Sequence, residues 1–347
     1  MPETLAAARL ADVADLAAVR RRRLTEAETP LRGIGLFAGM AEDDLAGLAA
    51  ALQPVALAAG GVLWHQGSPS DGLYVLLDGD VQVCRRLPGE RELEVARLGP
   101  GELLGELPLL GGGTRTATVR ALGACSLLFL SRAEFDARTA LGEPGALELR
   151  RRVVAIACAR LRRTYCAAAT TVYDEASLPA SAPSEPLQRE PMPAAAPPRD
   201  YLARLELFRG LEPDVVTELL DRGTVLCLPR GHVIQREGTQ PEACHVTLNG
   251  AVEAVVRRGT ASLRVGFAGP GRPSGYLGML DGAPAPVSSV TRERSLLLAI
   301  DRSHFATLQR TTGTRSRAFL AAIEADVVRC LAVAEGVRSR VAAGSAA

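Results

Sequence analysis

The two halves of this chain carry the same landmarks in the same order. Leu36-Phe37, Gly39, Gly67 and Gly79 recur as Leu207-Phe208, Gly210, Gly238 and Gly250, all displaced by 171 positions. After a loop one residue shorter in the second half, Gly101, Gly105, Leu127-Leu128 and Phe135 recur as Gly271, Gly275, Leu297-Leu298 and Phe305, displaced by 170. A near-constant register over about 100 residues marks a duplicated unit. Any fold assigned to one half must therefore serve both.

Within each half, short apolar runs alternate between glycine turns. Val81 and Val83 alternate with Asp80 and Gln82, as a half-buried strand requires. Gly79 and Gly250 stand at strand junctions where positive φ suits a tight turn. Strands at this spacing favour a small barrel or jelly roll over a parallel sheet. Helices are expected before each barrel, at Ala41–Leu52 and Pro213–Leu220, and after it. Ser131-Arg132-Ala133-Glu134 reads as a capping box, and Asp301 takes the cap position in the repeat. Longer helices are expected near 145–168 and 315–342. The fold class is mainly β with flanking α: two tandem jelly-roll β-barrels, each flanked by helices.

Pro179, Pro183, Pro186, Pro191, Pro193, Pro197 and Pro198 crowd one stretch with Ala, Ser and Glu. Such a segment sustains neither a helix nor a central strand and reads as a semi-extended linker. The expected organisation is an N-terminal helical segment (1–30), a first domain with its C-terminal helices (31–177), the linker (178–199), a second domain (200–312), and a C-terminal helix and tail (313–347).

Gly105-Glu106-Leu107-Pro108-Leu109-Leu110-Gly111-Gly112-Gly113-Thr114-Arg115-Thr116-Ala117-Thr118-Val119 is the segment that carries chemistry. It sets one carboxylate and one guanidinium nine residues apart across a glycine-rich turn. A carboxylate accepts from a sugar hydroxyl, and a guanidinium fork holds an anionic oxygen pair. Backbone N–H groups after Glu106 add an anion nest. The segment suits a small ligand with a sugar hydroxyl and one negative phosphate.

Each half resembles the cyclic-nucleotide-binding domain shared by the bacterial catabolite activator protein family and the regulatory subunits of protein kinase A. The match is most specific in the first half, where Gly61–Gly67, Gly72–Val83, Gly99–Leu110 and Arg115–Val119 follow the family pattern in order. The resemblance implies that Glu106 accepts the ribose 2′-hydroxyl and Arg115 pairs with the cyclic phosphate. It further implies that the N–H groups of Gly105 and Thr116 complete the contacts, with Leu107 and Ala117 in the same cassette. The implied ligand is cAMP or cGMP, with no other cofactor. Thr116 after the arginine resembles members that accept cGMP through that hydroxyl, though cAMP binders also carry Thr there. Pro108 departs from the pattern: many members have Ala there, and proline offers no N–H. Loss of one charge-assisted bond lowers affinity by about 1.5–3 kcal/mol where that amide is used.

In the second half Glu106 maps to Tyr276, Arg115 to Ala285 and Thr116 to Pro286. Loss of the fixed cation predicts a domain kept for contact or assembly, unless Arg272, Arg292 or Arg294 serves as a substitute phosphate fork.

The remaining features carry less. Net charge is +1, with 40 basic residues, all arginines, against 39 acidic ones, which argues against nucleic acid as the main partner. Arg20–Arg23 reads as a solvated helix end. A transcription factor of the catabolite activator type needs a helix-turn-helix of about 60–80 residues after its dimer helix. Only about 40 residues follow the second barrel, so no DNA binding is expected. No apolar run is long enough to span a membrane, and the N-terminal segment carries Glu3, Asp12 and Asp15, so a cytoplasmic location is expected. The seven cysteines are scattered and never form CxxC, as free thiols in a reducing compartment would be. His65, His232, His245 and His304 lack ligand spacing, which leaves no metal site. No catalytic constellation is identifiable, so the chain is not expected to be an enzyme. Trp64 and Tyr165 serve either to cap a base or to pack the core.

Leu320, Ile323, Val327, Cys330, Ala334, Val337 and Val341 follow a 3-4 spacing. They form either a coiled-coil seam for a homodimer or a face packed on the chain's own barrel. The expected function is a cyclic-nucleotide sensor that binds ligand in its first barrel and relays the change to a protein partner. Its rival is a structural adaptor whose barrels bind no nucleotide.

Overall fold

The computed structural model describes residues 31–86, 91–105, 109–110, 113–171, 192–258, 261–310 and 314–344. The chain divides into two compact units, Met1–Arg152 and Val153–Ala347.

In the first unit, helix α1 (Glu42–Ala51) precedes eight strands. These are β1 (Gln53–Leu57), β2 (Val62–Trp64), β3 (Gly72–Asp78), β4 (Val81–Arg86), β5 (Glu92–Leu98), β6 (Leu103–Leu104), β7 (Thr118–Ala121) and β8 (Cys125–Ser131). They form two four-stranded antiparallel sheets, ordered β1-β8-β3-β6 and β2-β7-β4-β5. The architecture is the expected jelly roll, as two sheets rather than one closed barrel. Leu76, Leu104 and Leu127 of one sheet and Val81, Val119 and Ala121 of the other share one buried cluster. The alternation expected around Val81 stops early: Val83 is half-buried and Cys84 buried, because a register shift falls between them.

Helix α2 (Arg132–Leu141) and helix α3 (Pro144–Thr171) follow. Ser131 caps α2 by accepting from the Glu134 N–H at 3.2 Å. Half of the capping box is made, since the Glu134 carboxylate turns to Arg138 at 2.7 Å. The unit boundary falls inside α3, not in the proline-rich stretch. Val153, Ala157, Cys158, Leu161 and Tyr165, which follow that boundary, are all buried.

The second unit repeats the plan. Strand β9 (Met192–Pro193) and helices α4 (Arg199–Leu202) and α5 (Pro213–Arg222) lead into β10 (Thr224–Leu228), β11 (Val233–Gln235), β12 (Ala243–Asn249), β13 (Val252–Arg258), β14 (Ala261–Ala268) and β15 (Pro273–Ser274). Helix α6 (Leu277–Asp281), strands β16 (Ser288–Thr291) and β17 (Ser295–Asp301), and helices α7 (Arg302–Arg310) and α8 (Thr314–Gly344) complete it. Its sheets run β15-β12-β17-β10-β9 and β11-β16-β13-β14. The end of the expected linker is thus an edge strand, Met192 pairing with Cys227 and Pro193 with Leu226. An edge is where a sheet tolerates proline. Asp301 caps α7 as expected, accepting from the His304 N–H at 2.8 Å.

The two glycine junctions behave alike, with φ of 85° at Gly79 and 86° at Gly250. A side chain at Gly79 would meet the Ala124 carbonyl, and one at Gly250 the Ser295 side chain. In α8, Ile323, Val327 and Ala334 are buried within the unit beside Phe319 and Leu331, while Leu320 and Cys330 are half-buried. Packing on the chain's own domain therefore accounts for the seam as far as Ala334. The side chains of Val337 and Val341 lie outside the described residues, as do residues 1–30 with Arg20–Arg23.

Candidate functional site

Between β2 and β7 the main chain of the first unit is tied into a fixed loop pair. The Gly67 N–H donates to the Arg115 carbonyl and the Arg115 N–H to the Ser68 carbonyl, both at 2.8 Å. Pro69 and Thr114 form a β-bridge. These bonds deliver the Arg115 side chain into the interior, where it is 3 % exposed.

The guanidinium is held on two sides. Its Nη2 donates to the Gly72 carbonyl at 3.0 Å and to the Asp71 carboxylate. Its carbon lies 3.8 Å from the Trp64 ring centroid and 5.8 Å from that of Tyr74. The Tyr74 hydroxyl donates to Asp71 at 3.2 Å. Burial, then the Asp71 carboxylate, pushes that hydroxyl up to about 12, so it remains a donor. Gly105, at φ 74°, makes room: a Cβ there would collide with Arg115 Nη1.

Arg115 Nε and Nη1 are buried and have no hydrogen-bond partner among the described residues. An unsatisfied buried donor costs about 1–3 kcal/mol, more when charged. A buried guanidinium with two spare donors suits an anionic oxygen. The Ser70 hydroxyl, on the adjoining loop, is also buried and unpartnered.

Of the expected site residues, Gly105 is half-buried beside the guanidinium and Arg115 is at the centre. Thr116 is exposed; Ala117 is half-buried, and its carbonyl accepts from Trp64 Nε1 at 3.0 Å. Glu106 and Leu107, with Pro108, lie outside the described residues. The sequence reading missed Asp71, Gly72 and Tyr74, and it left Trp64 between two roles. A signal for the aromatics was present. Trp64, Tyr74 and Phe129 map onto Gln235, His245 and Ala299, so the second half lost them along with the arginine. Tyr165 is buried in the second unit, as core packing requires.

The second unit keeps the scaffold and changes the contents. The Gly238 N–H donates to the Ala285 carbonyl at 2.9 Å, and the Ala285 N–H to the Thr239 carbonyl at 2.8 Å. Gly275 has φ 77°, but the space beside it is lined by the Gln235 amide and His245. Burial holds His245 down at about 4, so the imidazole is neutral. Tyr276 is turned to the C-terminal helix. Its hydroxyl donates to Asp326 Oδ2 of α8 at 2.7 Å, and Arg272 Nε donates to Asp326 Oδ1 at 2.7 Å. Burial lifts the neighbouring Cys330 thiol to about 12. Arg292 pairs with Glu253 at 3.2 Å, and Arg294 donates to the Cys227 sulfur at 3.2 Å. All three arginines weighed as a substitute fork are turned to other partners. From α3, Arg162 grips Asp281 at the end of α6, at 2.7 and 2.8 Å.

All seven cysteines are free; Cys84, Cys125, Cys158 and Cys244 are buried, Cys227 and Cys330 half-buried, and Cys166 exposed. Among the described residues no group of His, Cys, Asp and Glu could hold a metal ion, and no helix is long and apolar enough to cross a membrane.

Comparison with known proteins bears on both units. A family model described as cyclic nucleotide-binding domain matches the chain twice, at residues 54–139 and 225–312. The chain is 30% identical over 130 residues to the CRP-like cAMP-activated global transcriptional regulator of Mycobacterium tuberculosis, covering 38% of this chain and 56% of that protein. It is 33% identical over 105 residues to the cyclic AMP receptor protein of Thermus thermophilus, covering 30% and 49%. The chain thus matches about half the length of these curated relatives. Among solved structures, the regulatory domain of Toxoplasma gondii PKA with cAMP is 21% identical, covering 83% of this chain and 93% of that one with a TM-score of 0.32.

Proposed function

This chain belongs to the cyclic nucleotide-binding domain family, with two such domains in tandem, and from that premise we propose that it is a non-enzymatic sensor whose first domain takes cAMP or cGMP. The observation that carries the reading is the buried guanidinium of Arg115, with Nε and Nη1 left without partners among the described residues. In this reading Arg115 clasps the cyclic phosphate. Asp71 and Gly72 hold its far nitrogen, and Gly105 leaves the space that Nη1 occupies. Glu106 accepts the ribose hydroxyl, Thr116 and Gly105 supply main-chain N–H groups, and Leu107 and Ala117 complete the cassette. The binding event is relayed to a protein partner in a reducing, cytoplasmic setting.

The second domain serves assembly. Its Arg115 counterpart is Ala285, and its Tyr276 is spent on Asp326. That sealed cassette favours the adaptor reading for this domain alone.

Isothermal titration with cAMP and with cGMP tests the proposal. Heat of binding is expected at about 100 μM ligand, enough to reveal any micromolar site. Arg115→Ala is expected to weaken binding at least about 100-fold, the worth of two charge-assisted hydrogen bonds. No heat from either nucleotide, or unchanged affinity in Arg115→Ala, would sink the proposal.

A further inference from the structure

Trp64 is the one tryptophan in the chain. One face of its indole is covered by the Arg115 guanidinium at 3.8 Å, and its Nε1–H is spent on the Ala117 carbonyl. A base cannot stack on a face already taken. Tyr74 backs the arrangement, with its ring 5.3 Å from that of Trp64 and 4.6 Å from that of Phe129. The guanidinium is thereby fixed by a π face below and by Asp71 and Gly72 at Nη2. Only Nε and Nη1 are left for a ligand. A long side chain that would lose rotamer freedom on clasping an anion has lost it beforehand.

The repeat shows that this aromatic group is no requirement of the fold. Gln235, His245 and Ala299 occupy the three positions in the second unit, while the main-chain bonds around Ala285 match those around Arg115. Cation and aromatics are absent together.

We propose that Trp64 is a positioning residue of the phosphate site: its indole face and N–H preset Arg115 for an anionic phosphodiester, and it does not stack on the base. The inference rests on the nucleotide reading given above.

The test uses the full chain. Trp64→Phe and Trp64→Leu both forfeit the indole N–H, so the gap between them isolates the aromatic face. Calorimetry with cAMP and cGMP is expected to show Trp64→Leu about tenfold weaker than Trp64→Phe, in the range a desolvated cation–π contact supports. Thermal melts of the two variants are expected to agree within about 2 °C. In the wild type, saturation with nucleotide is expected to shift the tryptophan emission, because the ligand alters the charge lying against the indole. Binding by the wild type with equal affinities in the two variants overturns the inference and leaves the sensor reading standing. Absence of heat from the wild type overturns the sensor reading and this inference with it. If Trp64→Leu does not fold, the wild type decides: emission unchanged at saturation overturns the proposal.

Discussion

The loop around Arg115 in the first unit and its counterpart around Ala285 in the second share their main-chain bonding and differ in what they enclose. Around Arg115 and around Ala285 the paired backbone hydrogen bonds agree within 0.1 Å, 2.8 and 2.8 Å against 2.9 and 2.8 Å. Gly105 and Gly275 share one left-handed conformation. The first unit buries a cation with donors to spare. In the second, the acceptor position carries a tyrosine bonded to its own C-terminal helix, and a neighbouring arginine is neutralised by the same aspartate. The main-chain scaffold is therefore specified apart from the side chains that fill it. Glycines and strand pairings build the scaffold in both units, while the interior side chains differ: a buried guanidinium with spare donors in one, a network closed on Asp326 in the other.

If the second cassette is sealed by its own contacts, cutting those contacts should cost stability and leave the nucleotide affinity of the first unit alone. The largest effect is expected from Asp326→Ala, which strands Arg272 and the Tyr276 hydroxyl in a buried setting. Loss of one partner of a buried ion pair costs about 3–5 kcal/mol, to be read from denaturant melts. A loss below about 1 kcal/mol would break the comparison. Arg162→Ala removes the two-pronged grip on Asp281, whose side chain is only 12% exposed. A fall of about 1.5–3 kcal/mol is expected, the worth of hydrogen bonds to a charged group. The smallest effect is a pH slope. Burial keeps His245 at about 4 against an ordinary 6.5, so the unfolded chain binds the proton first as the pH falls. Stability is whole above about pH 6.5 and declines toward pH 4. Melts of His245→Gln across that window should show a shallower decline than the wild type, and an unchanged slope would remove His245 as its source.

Much of this was legible in the amino-acid order because the repeat is a strong signal. Glycines at a fixed displacement mark turns, and Ser131 and Asp301 announce their helices through local chemistry. The central arginine stood out because its counterpart is an alanine. Its surroundings were harder to read. Asp71 and Trp64 lie 44 and 51 positions from Arg115, and only strand pairing brings them together. The apolar periodicity of α8 could not tell its own domain from a second copy. Asp326 on its buried face is the residue that identifies what it packs against. Strand β9 escaped notice because main-chain pairing, not side-chain pattern, makes it a strand.

That small strand has a further consequence. The chain leaves α3 at Thr171 and returns at Met192, and both points belong to the same compact unit. Both ends of that closure are therefore fixed to one body. Doubling the length of such a closure costs only about 0.6 kcal/mol, so insertions there should be borne easily. A protease nick would sever the chain while the end of α3 stays in place, gripped by Arg162 and by the buried faces of Cys158, Leu161 and Tyr165.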